Sequence, residues 1–341
     1  MTTSARPLVS FCFTTFKRKE FLADTLKSIL RQTVGDYEVV VSDNDPEQSA
    51  KEVVEGVRDL RFKYFPNETN LGMKKSFNKS LERSTGEYIV MIADDDPVYP
   101  DMLQTLLRTK EQHPGYGVYL GGSNWYITDP ALARLYRLKV GHNSFLADQP
   151  IGTVTVYSPA EFLKKFFGRK IFPSSLWSTA IVSREVLVEM GGVPDYGTAF
   201  LGDYAYLSIM GSHSGVVVVN TPLGHQTVHP ENFGRSQNEQ MGTAVVNFVN
   251  YVSARIDRVE DWPAVQPIMQ NFVALWAVSH LSFLHYYFKI HHQEPVGLRA
   301  AEKAVFAVPY IKQYRFKYWL KVHFPRLHNL IVGMKRRLIK T

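Results

Sequence analysis

The chain has 341 residues, 45% of them hydrophobic and 21% charged, the balance of a folded globular protein with length for one large domain or two ordinary ones. Its single cysteine, Cys12, excludes an internal disulfide and any cysteine zinc site, and suits a reducing cytosol. The formal net charge of +7 is uneven: residues 303–341 hold ten Lys/Arg and no Asp/Glu, which leaves 29 Lys/Arg against 32 Asp/Glu in the rest. The excess charge belongs to a basic tail on a roughly neutral body.

Met1–Pro7 is polar and carries no signal-peptide pattern. Leu8–Phe16 is apolar and β-rich, a first strand. After Lys17-Arg18-Lys19-Glu20, residues Phe21, Leu22, Leu26, Ile29 and Leu30 recur at helical spacing, and Gly35 is a stop signal. Tyr37–Ser42 reads as a second strand ending in Asp43-Asn44-Asp45-Pro46, followed by a helix over Gln48–Val57. Arg61–Phe65 is a third strand, Asn67–Gly72 a loop and Met73–Ser84 a helix. This alternation of strands and helices predicts an α/β fold with a mostly parallel sheet flanked by helices. No G-x-G-x-x-G follows the first strand, so the usual dinucleotide fingerprint is absent.

The fourth strand, Tyr88–Ala93, runs straight into Asp94, Asp95 and Asp96, and Pro97 stops it. That places three carboxylates at the carboxyl edge of a sheet, where open α/β sheets bind ligands. Three adjacent like charges repel. A divalent cation removes that objection, since Mg²⁺ and Mn²⁺ take oxygen ligands, commonly carboxylates together with substrate phosphates. The alternative is a solvated acidic turn ahead of the helix that follows Pro100.

Four segments carry a family resemblance: Val9–Arg18 with its Thr14-Thr15-Phe16-Lys17-Arg18 end, Val39–Asp45, Asn70-Leu71-Gly72 with Asn78, and Gly86–Leu103 with Pro100-Asp101. In that order they resemble the nucleotide-binding half of family 2 glycosyltransferases of the GT-A (nucleotide-diphospho-sugar transferase) fold. Trp177–Arg184 through Gly191-Gly192 is similar to the family's acceptor-side strand and Gly-Gly turn, and Leu201-Gly202-Asp203 falls at its catalytic base. The match runs over about residues 8–235. Two departures stand out. The family often has Glu-Asp at the base position, where this chain has Gly202-Asp203. Aligned on Pro100-Asp101, the family's first metal-site Asp falls on Ala93, whereas by spacing Asp94-x-Asp96 satisfies the pattern; all three aspartates are therefore carried forward. The resemblance implies a catalytic domain over 1–240, with a nucleotide-binding half about 8–105 and an acceptor half about 106–240, and a helical basic C-terminal extension over 241–341.

What it implies chemically follows from a nucleotide-sugar donor. Asp96 and Asp95 are metal-side carboxylates, with Asp94 on the metal or the ribose. Asp43 would accept from N3–H of a pyrimidine, with Phe16 or Thr15 beside the ring; Thr14, Arg18, Asn70 and Asn78 complete the donor side. Asp43 can equally be a turn or helix-cap carboxylate, and Arg18 a solvated charge. Asp203 would take the proton of the acceptor hydroxyl, or else cap a helix over Tyr204–Met210. The glycine before it gives an acceptor room and leaves no second acid to share the proton. Trp177 would line the acceptor side. Past the strand Gly215–Asn220, His229 suits a further metal ligand better than His225. One base and no nucleophile imply inversion.

Phe272–Phe288 is apolar but interrupted by His280 and His285, too short and too polar for a membrane span, and reads as a buried helix. The tail from Pro309 interleaves Tyr310, Tyr314, Phe316, Tyr318, Trp319 and Phe324 with Lys312, Arg315, Lys317 and Lys321. That pattern suits an anionic bilayer surface; nothing else in the chain supports nucleic acid. The expected protein is cytoplasmic or peripheral on the inner face of the plasma membrane, a metal-dependent inverting glycosyltransferase for a surface glycan, with a nucleotide-sugar donor and a glycan or lipid-linked acceptor. It resembles O-antigen enzymes such as abequosyltransferases. The competing expectation is an inactive sugar-nucleotide or glycan-binding module of the same fold, which need keep neither the Asp94–Asp96 cluster nor Asp203. A nucleotidyltransferase should carry a glycine-rich basic loop after the first strand, and Phe13–Glu20 has no glycine.

Overall fold

The structure, a computed structural model, describes residues 6–130, 132–133, 149–171, 177–232, 238–295 and 297–338. Its first half alternates β1 (Val9–Thr15), α1 (Lys19–Leu30), β2 (Tyr37–Asp43), α2 (Lys51–Glu55), β3 (Phe62–Pro66), α3 (Met73–Arg83), β4 (Tyr88–Ala93) and α4 (Met102–Gln112). There follow β5 (Val118–Ile127), β6 (Val154–Tyr157), α5 (Pro159–Phe167), β7 (Ala180–Ser183), α6 (Arg184–Glu189), α7 (Gly202–Ser214) and β8 (Val216–Val228). The C-terminal part is helical: α8 (Met241–Ile256), α9 (Trp262–Ile290), α10 (Leu298–Ala307), α11 (Pro309–Lys312), α12 (Arg315–His323) and α13 (Pro325–Leu338).

Among the described residues the strands form one eight-stranded sheet in the order β3-β2-β1-β4-β7-β5-β8-β6. Pairings β1–β2, β1–β4, β2–β3 and β5–β8 are parallel, and those of β7 and β6 antiparallel. Because side chains alternate across a strand, each central strand feeds two cores. Phe11, Phe13, Val90 and Ile92 join Leu22, Leu26 and Leu106 of α1 and α4 on one face. Cys12, Ile89 and Met91 join α3, α5 and α7 on the other. The second core continues without a break through Phe248 of α8, Phe272 and Leu281 of α9, and Ile311, Tyr318 and Val322 of the last helices. The segment Phe272–Phe288 is thus a packed helix, and no described helix is long and apolar enough to cross a membrane.

Two elements differ from the sequence reading. The helix expected over Gln48–Val57 is only Lys51–Glu55, because the preceding turn is organised by the Asp43 carboxylate. The last strand does not stop at Asn220; it runs to Val228 through Pro222. A proline is tolerated there because the β5–β8 ladder shifts register on either side of Gly122, which faces Pro222.

Candidate active site

Parallel register brings the carboxyl ends of three strands to one edge, with Thr15 opposite Asp43 and Thr14 opposite Ala93. A cavity of about 940 Å³ opens there. Its lining includes Thr14, Thr15, Phe16, Arg18, Asn70, Asp94, Asp95, Asp96, Trp177 and Asp203, and it is closed on one side by Phe272, Trp276 and Phe283 of α9. Another cavity, of about 910 Å³, lies among Arg6, Glu38, Arg61, Lys63 and Arg184; it contains none of the candidate residues.

Arg18 organises the acidic side. Lys17 adopts the left-handed conformation, φ 55°, which is costly for a non-glycine residue and recurs at functional sites. From the next position Arg18 reaches back across the sheet edge: its Nη1 donates to Asp94 Oδ1 at 2.8 Å and its Nη2 to Asp95 Oδ2 at 2.7 Å. Thr15 Oγ1 donates to Asp94 Oδ2 at 2.9 Å, and Thr25 Oγ1 to the Asp94 carbonyl at 2.7 Å. His229 Nε2 lies 3.0 Å from Asp95 Oδ2, and Asn232 Nδ2 donates to the same oxygen at 3.3 Å. The His229 ring stacks on Phe21, 4.2 Å between centroids. Asp96 turns the other way and accepts from Ser178 Oγ at 3.1 Å and from the Thr227 N–H.

One guanidinium among three buried carboxylates leaves the cluster short of positive charge. Burial, then the Asp95 charge, push Asp94 up to about 7 in spite of Arg18 and Thr15. Burial and Asp95 likewise hold Asp96 well above the usual carboxylate range. For Asp95 burial is outweighed by His229 and Arg18, which keep its carboxyl low. A hard divalent cation suits this donor set in ligand type and in charge. Among the described residues no three metal-binding side chains yet converge on a single point, and the centre of the cluster belongs to Arg18. The two histidines separate cleanly: His225 lies within β8 beside the Tyr99 and Tyr126 rings, with burial lowering its imidazole, whereas His229 is the one at the carboxylates.

Across the cavity, Leu201 is left-handed (φ 60°) and forms the N-cap of α7. This strained corner sets Gly202 and Asp203 at the head of the helix. Asp203 is half-buried, and burial raises its carboxyl against the pull of the Tyr204 N–H and Lys74. Trp177 stands at the base of this wall, edge-on to Phe77 at 4.9 Å and to Tyr206 at 5.7 Å.

Two residues expected on the donor side are engaged elsewhere. Asp43 is fully buried; its Oδ1 accepts from the Asp45 N–H at 3.0 Å, and its Oδ2 from the Ala50 N–H at 3.0 Å and Tyr64 Oη at 2.9 Å. It is the turn carboxylate of the alternative reading, and Asn44 rather than Asp43 lines the cavity. Asn44 Nδ2 donates to Asn70 Oδ1 at 2.7 Å and its Oδ1 accepts from the Leu71 N–H at 2.9 Å, which fixes the Asn70–Gly72 loop. Asn78 clamps the Gly-Gly turn: its Oδ1 accepts from the Val193 N–H at 2.8 Å and its Nδ2 donates to the Val193 carbonyl at 3.1 Å. A Cβ at Gly192, where φ is 77°, would lie 2.5 Å from Asn78 Oδ1, so the glycine is required by the clamp. Sequence reasoning missed Asn44, Ser178 and Asn232; none sits in a pattern that announces it, because each meets its partner only through the fold.

A family model, "Glycosyl transferase family 2", matches residues 10–190. A Campylobacter jejuni protein, GalNAc(5)-diNAcBac-PP-undecaprenol beta-1,3-glucosyltransferase, is 32% identical over 118 residues, which is 34% of this chain and 38% of that protein. The chain thus spans less than half the length of the curated relatives it matches. Among solved structures, Staphylococcus aureus TarS 1–349 in complex with UDP-GlcNAc aligns with a TM-score of 0.58 at 14% identity, covering 93% of both chains. The mannosyltransferase PcManGT of Pyrobaculum calidifontis, in complex with GDP-Man and Mn²⁺, aligns at 0.52 and 17% identity, covering 98% of this chain and 86% of that one. These likenesses show the GT-A fold, and the family match over more than half of the sequence makes the chain a member of glycosyl transferase family 2.

Proposed function

We propose that the chain transfers a sugar from a nucleotide-sugar donor to a hydroxyl of a glycan or lipid-linked glycan, with inversion and with a divalent metal, in the making of a surface polysaccharide. The observation that carries this reading is one cavity lined by Asp94–Asp96 and Arg18 and also by Asp203, with His229 buried behind Arg18 and Asp95. The donor nucleoside lies beside Thr14, Thr15, Phe16, Asn44 and Asn70. Asp96 and His229, with Asp94 or Asp95, would hold Mg²⁺ or Mn²⁺, whose chemistry is to neutralise the leaving diphosphate. Arg18 adds a fixed positive charge at the same place and orients Asp94 and Asp95. Phe272, Trp276 and Phe283 keep water from the sugar. Trp177 lines the acceptor side. Asp203 accepts the proton of the acceptor hydroxyl as that oxygen attacks the anomeric carbon, and a single displacement inverts the centre. An inactive binding module would have no use for both walls.

The same reading puts the protein at a membrane face. Phe316 is 70% exposed and Leu330 60%, and Trp319, Phe324, Leu327 and Met334 are also exposed. Exposed Lys312, Arg315, Lys317 and Arg326 stand among them. Such a surface suits anionic lipid headgroups, which supports a position beside a lipid-linked acceptor.

A panel of UDP-, GDP-, CDP- and dTDP-sugars, read by thermal stabilisation with Mn²⁺ and with EDTA, tests the reading. One nucleotide should stabilise the protein, and do so more with Mn²⁺. No stabilisation by any member of the panel would overturn it.

A further inference from the structure

Gly202 stands where the family often has a second acid, and the sequence alone suggests open room there. The structure fills that room from α3. The ammonium of Lys74, in the first turn of α3, occupies the position that a Cβ on Gly202 would take. Lys74 is only 5% exposed, and its Nζ has no hydrogen-bond partner among the described residues. Two aromatic rings flank it, with the Trp177 ring centroid at 5.7 Å and that of Tyr196 at 5.5 Å. A buried ammonium with unmet donors costs stability, so such a group calls for an explanation.

The charges around it single out Asp203. From the turn before α7 come Asp195 and Tyr196; from α7 itself, Asp203 and Tyr204. Arg169, just past α5, acts on Tyr204, and Tyr251 of α8 on Tyr196. His280 of α9 is stacked on Trp276 and edge-on to Phe200. Of these, Asp203 and Asp195 favour the Lys74 charge, Asp203 the more strongly. Asp195 is exposed and therefore screened by water and salt.

We propose that Lys74 is a positioning residue for Asp203: its buried ammonium, in the space Gly202 vacates, is the fixed counter-charge that keeps the Asp203 carboxylate in its charged form on the acceptor side of the cavity. The coupling is mutual. Burial brings Lys74 down to about 8 with Asp203 opposing the fall, and Lys74 in turn opposes the rise that burial imposes on Asp203. A nearby cation favours the charged carboxylate, the form in which Asp203 can accept a proton. The inference deepens the reading of Asp203 as the base, but the coupling can be read without any substrate, so either can fail alone.

The test is an NMR titration of the full chain labelled with ¹³Cε-lysine and ¹³Cγ-aspartate. Lys74→Gln and Asp203→Asn assign the two signals by their loss. The Lys74 midpoint is expected near 8 and lower still in Asp203→Asn. The Asp203 midpoint is expected to rise by about half a pH unit or more in Lys74→Gln, as removal of a nearby opposite charge does. Gly202→Ala adds no charge, displaces only the flexible end of Lys74, and should move Asp203 the same way; it serves if Lys74→Gln does not fold. A Lys74 midpoint at the ordinary lysine value of about 10.4, or one unmoved by Asp203→Asn, overturns the proposal. So does an Asp203 midpoint unmoved in folded Gly202→Ala.

Discussion

Asp94→Asn should stabilise the protein at pH 8 and not at pH 4. Asp94 is 3% exposed and is pushed up to about 7 by burial and by Asp95. A carboxyl whose folded value exceeds its unfolded one supplies stability that is full below the unfolded value, about 3.9, and is lost as pH rises through about 7. At 1.36 kcal/mol per pH unit that loss is on the order of 4 kcal/mol. Asparagine avoids it while keeping the shape: its oxygen still accepts from Arg18 Nη1, and its amide turns to Thr15 Oγ1, which then accepts. Because the value of about 7 already counts the help of Arg18 and Thr15, the expectation at pH 8 is a gain on the order of 4 kcal/mol at most, shrinking toward zero at pH 4. Urea unfolding in EDTA at both pH values reads it directly. If Asn is instead the less stable at pH 8, then Arg18 dominates and Asp94 is an ordinary ion-paired carboxylate. A carboxylate kept against such a cost is the mark of a site held for function.

Other expectations follow from the same geometry. Asp203→Asn should lower turnover by roughly 10²–10⁴-fold with donor affinity nearly unchanged, whereas a mere helix cap would tolerate Asn with little effect on rate or melting temperature. EDTA should abolish transfer, and Asp96→Ala should weaken nucleotide binding only when Mn²⁺ is present; full activity in excess chelator would leave Arg18 as the cation that serves the diphosphate. Glu38 is held down at about 2 by Lys63, Ser10 and Thr85 against its burial, so its contribution is present above about 4.3 and lost as pH falls toward 2. Glu38→Gln should therefore cost roughly 1–3 kcal/mol at pH 7, discounted for the half-exposed Lys63, and nothing near pH 2. Deleting residues 325–341 should reduce sedimentation with anionic liposomes at low salt while leaving the body folded. A cut near Pro309 is the wrong variant, because it would strip Ile311, Tyr318 and Val322 from the core.

The sheet was legible because buried strands and amphipathic helices write their period into the sequence: Val9–Thr15, Tyr88–Ala93 and Met73–Arg83 fall close to where the pattern puts them. The Asp94–Asp96 cluster was legible because three charges at a strand end need a reason. Roles that depend on long-range partners were not. Asp43 looked free for a ligand until Tyr64, on a neighbouring strand, took its second oxygen together with Ala50. Asn78 matched a motif, but its amide closes on Val193, 115 residues away. Arg18 read equally well as a surface charge, since its two carboxylate partners lie 76 and 77 positions on. Lys74 gave no signal at all: a lysine on an amphipathic helix is ordinarily solvated, and only the missing Cβ of Gly202 makes room for it inside.

The central claim is transfer from a nucleotide sugar with Asp203 as the base. Its most direct measurement is release of nucleoside diphosphate from whichever donor stabilises the protein, with Mn²⁺ and a bacterial glycolipid extract, in the wild type and in Asp203→Asn. The account predicts release that requires the extract and falls at least about a hundredfold in the variant while the donor still binds. Undiminished release in Asp203→Asn would contradict it.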